Sequence, residues 1–248
     1  MLRFDNKTVI VTGSARGIGA ETVRAFARQG ANVVVADVNE PEGEALAASL
    51  LAQGTRAIFV RCDVSDREEV KALMDRTVAE FGQIDVLVNN AGFNRDFKIT
   101  DMSEEAWDSV LDVCLKGAFN CCQFAAAHML GRKYGKIVNV SSRGYLGNPG
   151  QANYSAAKAG MVGLALALAK ELGRHNINVN VVAPGFTETD LVRVLPTYDM
   201  IKEMAVKAQS IKRVGTPADQ ANAILFLASD EASFINGEVI HVTGGRYA

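Results

Sequence analysis

At 248 residues, with 48% hydrophobic and 22% charged positions, the chain has the composition of an ordinary soluble globular protein, which excludes a disordered tail or a fibrous repeat. Its 26 basic and 28 acidic side chains give a formal net charge of -2 with no run of five or more like charges, so neither a nucleic acid nor a membrane surface is an expected partner. The four cysteines lack ligand spacing: Cys62 and Cys114 stand alone and Cys121 adjoins Cys122, so buried reduced thiols and no metal site are expected.

In chain order, residues 1–5 carry no secretory apolar stretch or small-residue cleavage site, and a cytoplasmic location is expected. Thr8 to Thr12 reads as a short aliphatic strand. It leads into Thr12-Gly13-Ser14-Ala15-Arg16-Gly17-Ile18-Gly19 and a helix that carries Ile18, Thr22, Val23 and Phe26 on one face. Glycines at this spacing permit a tight turn and close approach of a pyrophosphate to the helix N-terminus. A second strand, Asn32 to Ala36, is followed by Asp37, 18 residues after Gly19, where an acid can bind ribose hydroxyls. Together these features point to a dinucleotide held by Gly13, Ser14, Arg16, Gly17, Ile18, Gly19 and Asp37. The Asp37 carboxylate would repel a 2'-phosphate, so NAD(H) is favoured over NADP(H), while Arg16 pulls the other way.

A third strand covers Ala57 to Arg61. A Ser65-x-x-Glu68 capping box, the spacing of Val70, Leu73, Met74, Thr77, Val78 and Phe81, and the stop at Gly82 predict a helix. The strand Asp85 to Asn89 precedes a helix from Ser103 to Met129, whose apolar stripe includes Trp107, Val110, Leu111, Cys114, Ala118, Cys122 and Ala126, with Gly117 as the place where it loosens. Beyond the strand Lys136 to Ser141 lies a helix from Gln151 to Leu172. Its nearly apolar run, Ala159 to Ala169, is 11 residues long, too short to span a bilayer. Tyr154 and Lys158 sit one turn apart on this helix, and an ammonium there stabilises a phenolate, which makes Tyr154 a candidate acid and base.

After the strand Asn178 to Val182, residues 186–214 form an irregular insertion. Its Leu191, Val192, Val194, Leu195, Tyr198, Met200 and Met204 give enough apolar surface for a lid over a partly apolar substrate. A helix from Pro217 to Ala228, capped by Thr216, and a strand from Glu238 to Val242 complete the series. Strands apolar on both faces, alternating with helices, predict one α/β domain over 1–248, a Rossmann-type doubly wound, seven-stranded, mostly parallel sheet with helices on both faces.

Taken together, the motifs resemble those of the short-chain dehydrogenase/reductase family across the whole chain. Its Thr-Gly-x-x-x-Gly-x-Gly matches Thr12 to Gly19, its Asn-Asn-Ala-Gly matches Asn89-Asn90-Ala91-Gly92, its Tyr-x-x-x-Lys matches Tyr154 and Lys158, and its Pro-Gly segment matches Pro184-Gly185-Phe186-Thr187-Glu188-Thr189. The resemblance implies that Asp63 and Val64 border the adenine, Asn90 the ribose side, and Pro184, Gly185, Thr187 and Thr189 the nicotinamide end. It implies a hydride transfer between a small-molecule ketone and a secondary alcohol, with Ser142, Tyr154 and Lys158 catalytic. Strand register selects Ser142, whereas the family interval before Tyr154 points to Ser141.

Three stretches, Ala91 to Asp96, Gly150 to Tyr154 and Phe226 to Ala232, look most like β-ketoacyl-carrier-protein reductases. Those relatives commonly prefer NADPH, which conflicts with Asp37. An NAD-dependent dehydrogenase of a non-acyl alcohol and a non-catalytic dinucleotide sensor are the alternatives. One departure stands out: Cys114, in Val113-Cys114-Leu115-Lys116-Gly117, replaces the family's catalytic Asn, and a thiol cannot reproduce an amide's hydrogen bonds. The resemblance also implies a homotetramer built on the helices 103–129 and 151–172 and the C-terminal strand.

Overall fold

A computed structural model describes residues 3–246. Seven strands, β1 (Thr8–Thr12), β2 (Asn32–Asp37), β3 (Ala57–Arg61), β4 (Val86–Asn89), β5 (Gly135–Val140), β6 (Ile177–Pro184) and β7 (Val239–Val242), pair in the order β3-β2-β1-β4-β5-β6-β7. Every one of these pairs is parallel, so the mostly parallel sheet expected from sequence is parallel throughout the described residues. The chain winds outward from β1 to β3 and then resumes at β4 on the other side of β1. Strand order therefore reverses between β1 and β4, which opens a crevice beyond their carboxyl ends.

Successive strand residues point to opposite faces, and both faces are covered. Val9, Val11, Val33 and Val35 pack with helices α1 (Gly17–Arg28), α2 (Glu40–Ala52) and α9 (Pro217–Ala228) through Val23, Phe26, Leu46, Leu50, Ile224 and Leu227. Ile10, Val34 and Leu87 pack on the other face with α3 (Arg67–Phe81), α5 (Gly117–Arg132) and α6 (Ala152–Leu172). All four cysteines are buried and unpaired, and burial pushes the Cys62 and Cys122 thiols up to about 12. Among the described residues no helix is long and apolar enough to cross a membrane.

Several ends differ from the sequence expectation. Asp66, and not Ser65, caps α3: its Oδ1 accepts from the Glu68 and Glu69 amides at 2.8 and 3.2 Å, while the Ser65 hydroxyl donates to Asp63 at 2.7 Å. Asp85 lies just before β4, where its buried carboxylate accepts from the Thr8 amide at 2.8 Å and from Arg132 at 2.9 Å. The expected helix 103–129 is α4 (Glu104–Leu111), capped by Ser103, then a π-helical turn at Asp112–Lys116, then α5. Gly117 is not a loose point. A Cβ there would lie 2.5 Å from a Val64 methyl, so the glycine admits Val64 against the helix. The helix α2 was not apparent in the pattern; Asn39 caps it through the Glu42 amide at 3.4 Å. The insertion folds into a short helix α7 (Asp190–Arg193) and a longer α8 (Tyr198–Ala208).

Candidate active site

Where β1 ends, Gly13 and Gly17 adopt φ of 60 and 62°. A Cβ on Gly13 would lie 2.6 Å from the Ala91 backbone, and one on Gly19 would lie 2.4 Å from the Gly13 carbonyl, so the loop closes only with glycine at both positions. The helix α1 starts at Gly17 with no side-chain cap on Arg16 and no acidic residue in its first turn. Its leading N–H groups therefore have no side-chain acceptor, the condition that suits a phosphate. Thr12 Oγ1 accepts from the Asn90 and Ala91 amides at 3.1 Å, and the Asn90 side-chain amide donates to the Thr12 and Gly13 carbonyls at 3.0 and 2.8 Å. Asn90 thus shapes the loop itself.

Ser14 is fully buried. Its hydroxyl donates to the Val11 carbonyl at 2.7 Å and accepts from the Ala36 amide at 3.1 Å, bracing β1 on β2 and leaving the side chain no reach outward. Asp37, half-buried at the end of β2, accepts from the Ala15 and Asn39 amides at 2.9 and 3.0 Å. This carboxylate is fixed at the edge of the loop, whereas Arg16 is exposed. Asp63 is held by Ser65 and lies beside buried Val64 at the end of β3. A glycine cradle, a helix N-terminus without a side-chain cap and a fixed acid together fit an adenine dinucleotide.

The segment Ala91-Gly92 links this loop to α6. A Cβ on Gly92 would lie 3.3 Å from Lys158 Nζ and 3.0 Å from Cys114 Sγ, just past the contact of Gly13 with Ala91. Lys158 is buried, and its ammonium donates to the Val140 carbonyl at 2.8 Å and stands 5.6 Å from the centre of the Tyr154 ring. The two neighbouring serines part company. Ser141 is buried and donates to the Lys158 carbonyl at 2.9 Å, tying β5 to α6. Ser142 is half-buried and accepts from the Gly144 amide at 3.0 Å. A Cβ on Gly144 would touch Ser142 Oγ at 3.2 Å and a Tyr154 ring carbon at 3.4 Å, so the serine hydroxyl and the edge of the tyrosine ring both flank this glycine.

The segment that leaves β6 at Pro184 runs to Thr189, beside the glycine loop. A Cβ on Gly185 would lie 2.9 Å from the Thr243 backbone, and the Thr189 methyl lies 3.4 Å from the Cβ position of Gly17. Glu188 gathers the insertion: Arg193 of α7 reaches it at 2.6 Å, Lys202 of α8 at 3.6 Å, and the Tyr198 hydroxyl also donates to it. The hydrogen bond from Arg193 holds its carboxyl below the usual range. Leu191, Val194, Met200 and Met204 remain exposed on the insertion.

A family model described as enoyl-(acyl carrier protein) reductase matches residues 13–246. The chain is 44% identical to the 3-oxoacyl-[acyl-carrier-protein] reductase of Staphylococcus aureus over 97% of this chain and 98% of that protein. It is 46% identical to the same enzyme of Chlamydia muridarum over 97% of each. It is 42% identical to a (2S)-[(R)-hydroxy(phenyl)methyl]succinyl-CoA dehydrogenase subunit of Thauera aromatica over 98% of this chain and 97% of that one. The chain belongs to the short-chain dehydrogenase/reductase family. It is an oxidoreductase that interconverts a ketone and a secondary alcohol with a nicotinamide dinucleotide.

As a short-chain dehydrogenase/reductase it carries its departure in the π-helical turn. Cys114 is fully buried there, its thiol 3.5 Å from the Phe93 carbonyl and next to Lys158 across Gly92. Two residues of this site were not singled out from the sequence. Val140 contributes only its carbonyl, which no side-chain motif announces. Asn153, inside the quoted stretch before Tyr154, donates to the Arg95 and Ala106 carbonyls at 3.0 and 2.8 Å and accepts from the Tyr154 amide at 2.8 Å, anchoring the start of α6.

Proposed function

We propose that this family member reduces 3-oxoacyl thioesters, with NAD(H) as the preferred dinucleotide and Ser142, Tyr154 and Lys158 as its catalytic residues. The observation that carries the reading is that Ser142 Oγ and the Tyr154 ring both flank Gly144, with the buried Lys158 ammonium held by the Val140 carbonyl 5.6 Å from the centre of that ring. A serine and a tyrosine beside one glycine bring two hydroxyl groups that can hydrogen-bond a carbonyl oxygen, and the phenol can give it a proton. A carbon–carbon double bond has no such oxygen at the reacting carbon, so the pair favours the ketone chemistry of the 3-oxoacyl relatives over the enoyl reduction in the family model's description. The Staphylococcus and Thauera proteins are named for carrier-protein and coenzyme A thioesters, and the thioester is the shared chemistry.

When bound, the nicotinamide supplies the hydride for reduction and accepts it in oxidation. Ser142 and Tyr154 hydrogen-bond the ketone oxygen, and Tyr154 gives it the proton as the carbonyl carbon becomes tetrahedral. Lys158 holds a positive charge beside the resulting phenolate. Asp37 takes the ribose hydroxyls, Asp63 and Val64 border the adenine, Asn90 keeps the ribose side of the loop in shape, and Pro184, Gly185, Thr187 and Thr189 line the nicotinamide end with the glycine loop beneath.

The test is the initial rate of reduction of a small 3-oxoacyl thioester, NADH against NADPH, with Tyr154→Phe as control. Loss of a general acid costs about 10² to 10⁴ in rate. The variant is expected to lose turnover on that scale and still bind the dinucleotide; wild-type turnover in Tyr154→Phe sinks the assignment. The insertion 186–214 acts as the lid, held by Glu188. Dinucleotide is expected to protect it from limited proteolysis, and equal cleavage with and without dinucleotide speaks against gating.

A further inference from the structure

A fully buried polar side chain outside the catalytic group contacts the segment that follows β6. Gln220, in the second turn of α9, is 0% exposed among Ala221, Ile224 and Leu227. Its Nε2 lies 3.1 Å from Thr187 Oγ1 and 3.1 Å from the Val242 carbonyl, while its Oε1 has no partner among the described residues. The directions of these bonds are forced. A carbonyl only accepts, so the amide atom beside Val242 is the NH2 group, and Thr187 Oγ1 must accept from it. The Thr187 hydrogen is then turned to the Gly185 carbonyl, 3.2 Å away. One lone pair of Thr187 is left to accept from a further donor. Gly215, bridged to Thr187, packs over this bond; a Cβ there would lie 3.4 Å from Gln220 Nε2 and 3.5 Å from Thr187 Oγ1.

We propose that Gln220 is a positioning residue for the dinucleotide: it fixes Thr187 as a hydrogen-bond acceptor and so matches it to an amide N–H donor such as the nicotinamide carboxamide. This rests on the reading that places Thr187 at the nicotinamide end. An amide whose oxygen is buried without a partner is a poor device for stability, because an apolar side chain of similar volume avoids that desolvation. The placement of its NH2 between Thr187 and Val242 gives the residue a use that leucine cannot supply. The same bond links α9, in the core, to the segment that closes over the glycine loop.

The experiment compares the affinities of NADH and ADP-ribose, which lacks the nicotinamide, for wild type, Gln220→Leu, Thr187→Val and the double variant; if NADPH binds more tightly, the pair is NADPH and 2'-phospho-ADP-ribose. Gln220→Leu is expected to weaken NADH about fivefold, the worth of one neutral hydrogen bond. Its ADP-ribose affinity and melting temperature should be unchanged or raised, and it should add nothing to Thr187→Val. Equal weakening of both ligands, or full additivity with Thr187→Val, overturns the proposal in favour of a packing role. A specific loss in Thr187→Val that Gln220→Leu does not share also overturns it and leaves the nicotinamide-end reading intact. If Thr187→Val itself does not separate the two ligands, that reading falls and the role of Gln220 falls with it. Gln220→Met, close in volume, serves the same comparison should the leucine variant fail to fold.

Discussion

Ser141 and Ser142 adjoin in sequence and have identical chemistry, yet one hydroxyl is taken up by the sheet-to-helix joint and the other by the Gly144 amide, beside a glycine that the Tyr154 ring also flanks. Spacing to Tyr154 alone favours the first; the register of the strand favours the second. At Asp37 the sequence already gave the acid, while the amides of Ala15 and Asn39 that hold it come from backbone folding back on β2. A carboxylate fixed in this way repels a 2'-phosphate within a few ångströms. Asp37→Ser is therefore expected to shift the ratio of kcat/KM for NADPH over NADH upward on the order of 10- to 100-fold, less at high salt. An unchanged ratio in steady-state kinetics would show that Arg16, and not Asp37, governs the choice.

Among the elements, α9 is the one whose ends were most plainly written. Thr216 accepts from the Asp219 amide at 3.2 Å, Asp219 accepts from the Thr216 amide at 2.7 Å, and Pro217 occupies the first turn. The Arg213 guanidinium on Asp219 holds its carboxyl well below the usual carboxylate range. A lowered value in the fold means that this contribution is complete above the unfolded carboxylate value of about 4 and is lost as pH falls through the lowered one. Thr216→Ala is expected to cost about 1 kcal/mol in chemical denaturation at neutral pH. The cost of Asp219→Asn should shrink as the pH is taken down through the acid range, and a constant cost would mean that the ion pair contributes nothing. At α3 the motif reading chose the wrong cap by one residue. Ser65 and Asp66 both suit a helix start, and the nearby Asp63 carboxylate, which engages Ser65, decided between them.

The whole molecule presents apolar surface that its own core does not use. Phe119 and Leu130 of α5 and Leu166 of α6 are exposed, a groove of about 300 Å³ runs between these helices, and β7 is the edge of the sheet. Phe234 is fully exposed just before β7. These are the elements on which the expected homotetramer would form, and we propose that assembly. Sedimentation at micromolar concentration is expected to give four times the chain mass of 26.5 kDa, and Phe119→Glu should give a smaller species. A wild-type monomer would refute it.

The sequence by itself determined the alternation of buried strands and helices, the glycine loop, Asp37 and the Tyr154–Lys158 pair, because each is a local pattern whose spacing maps directly onto one turn or one strand end. It also exposed Cys114 as a departure, since a motif shows what it lacks. Tertiary structure alone decided that Ser141 is engaged by the Lys158 carbonyl, why Gly117 is glycine, where the long helix passes through a π turn, and that Gln220 reaches Thr187. These depend on contacts between residues tens of positions apart, such as Val64 with Gly117 and α9 with the segment after β6. No local period records which distant backbone will arrive beside a given side chain.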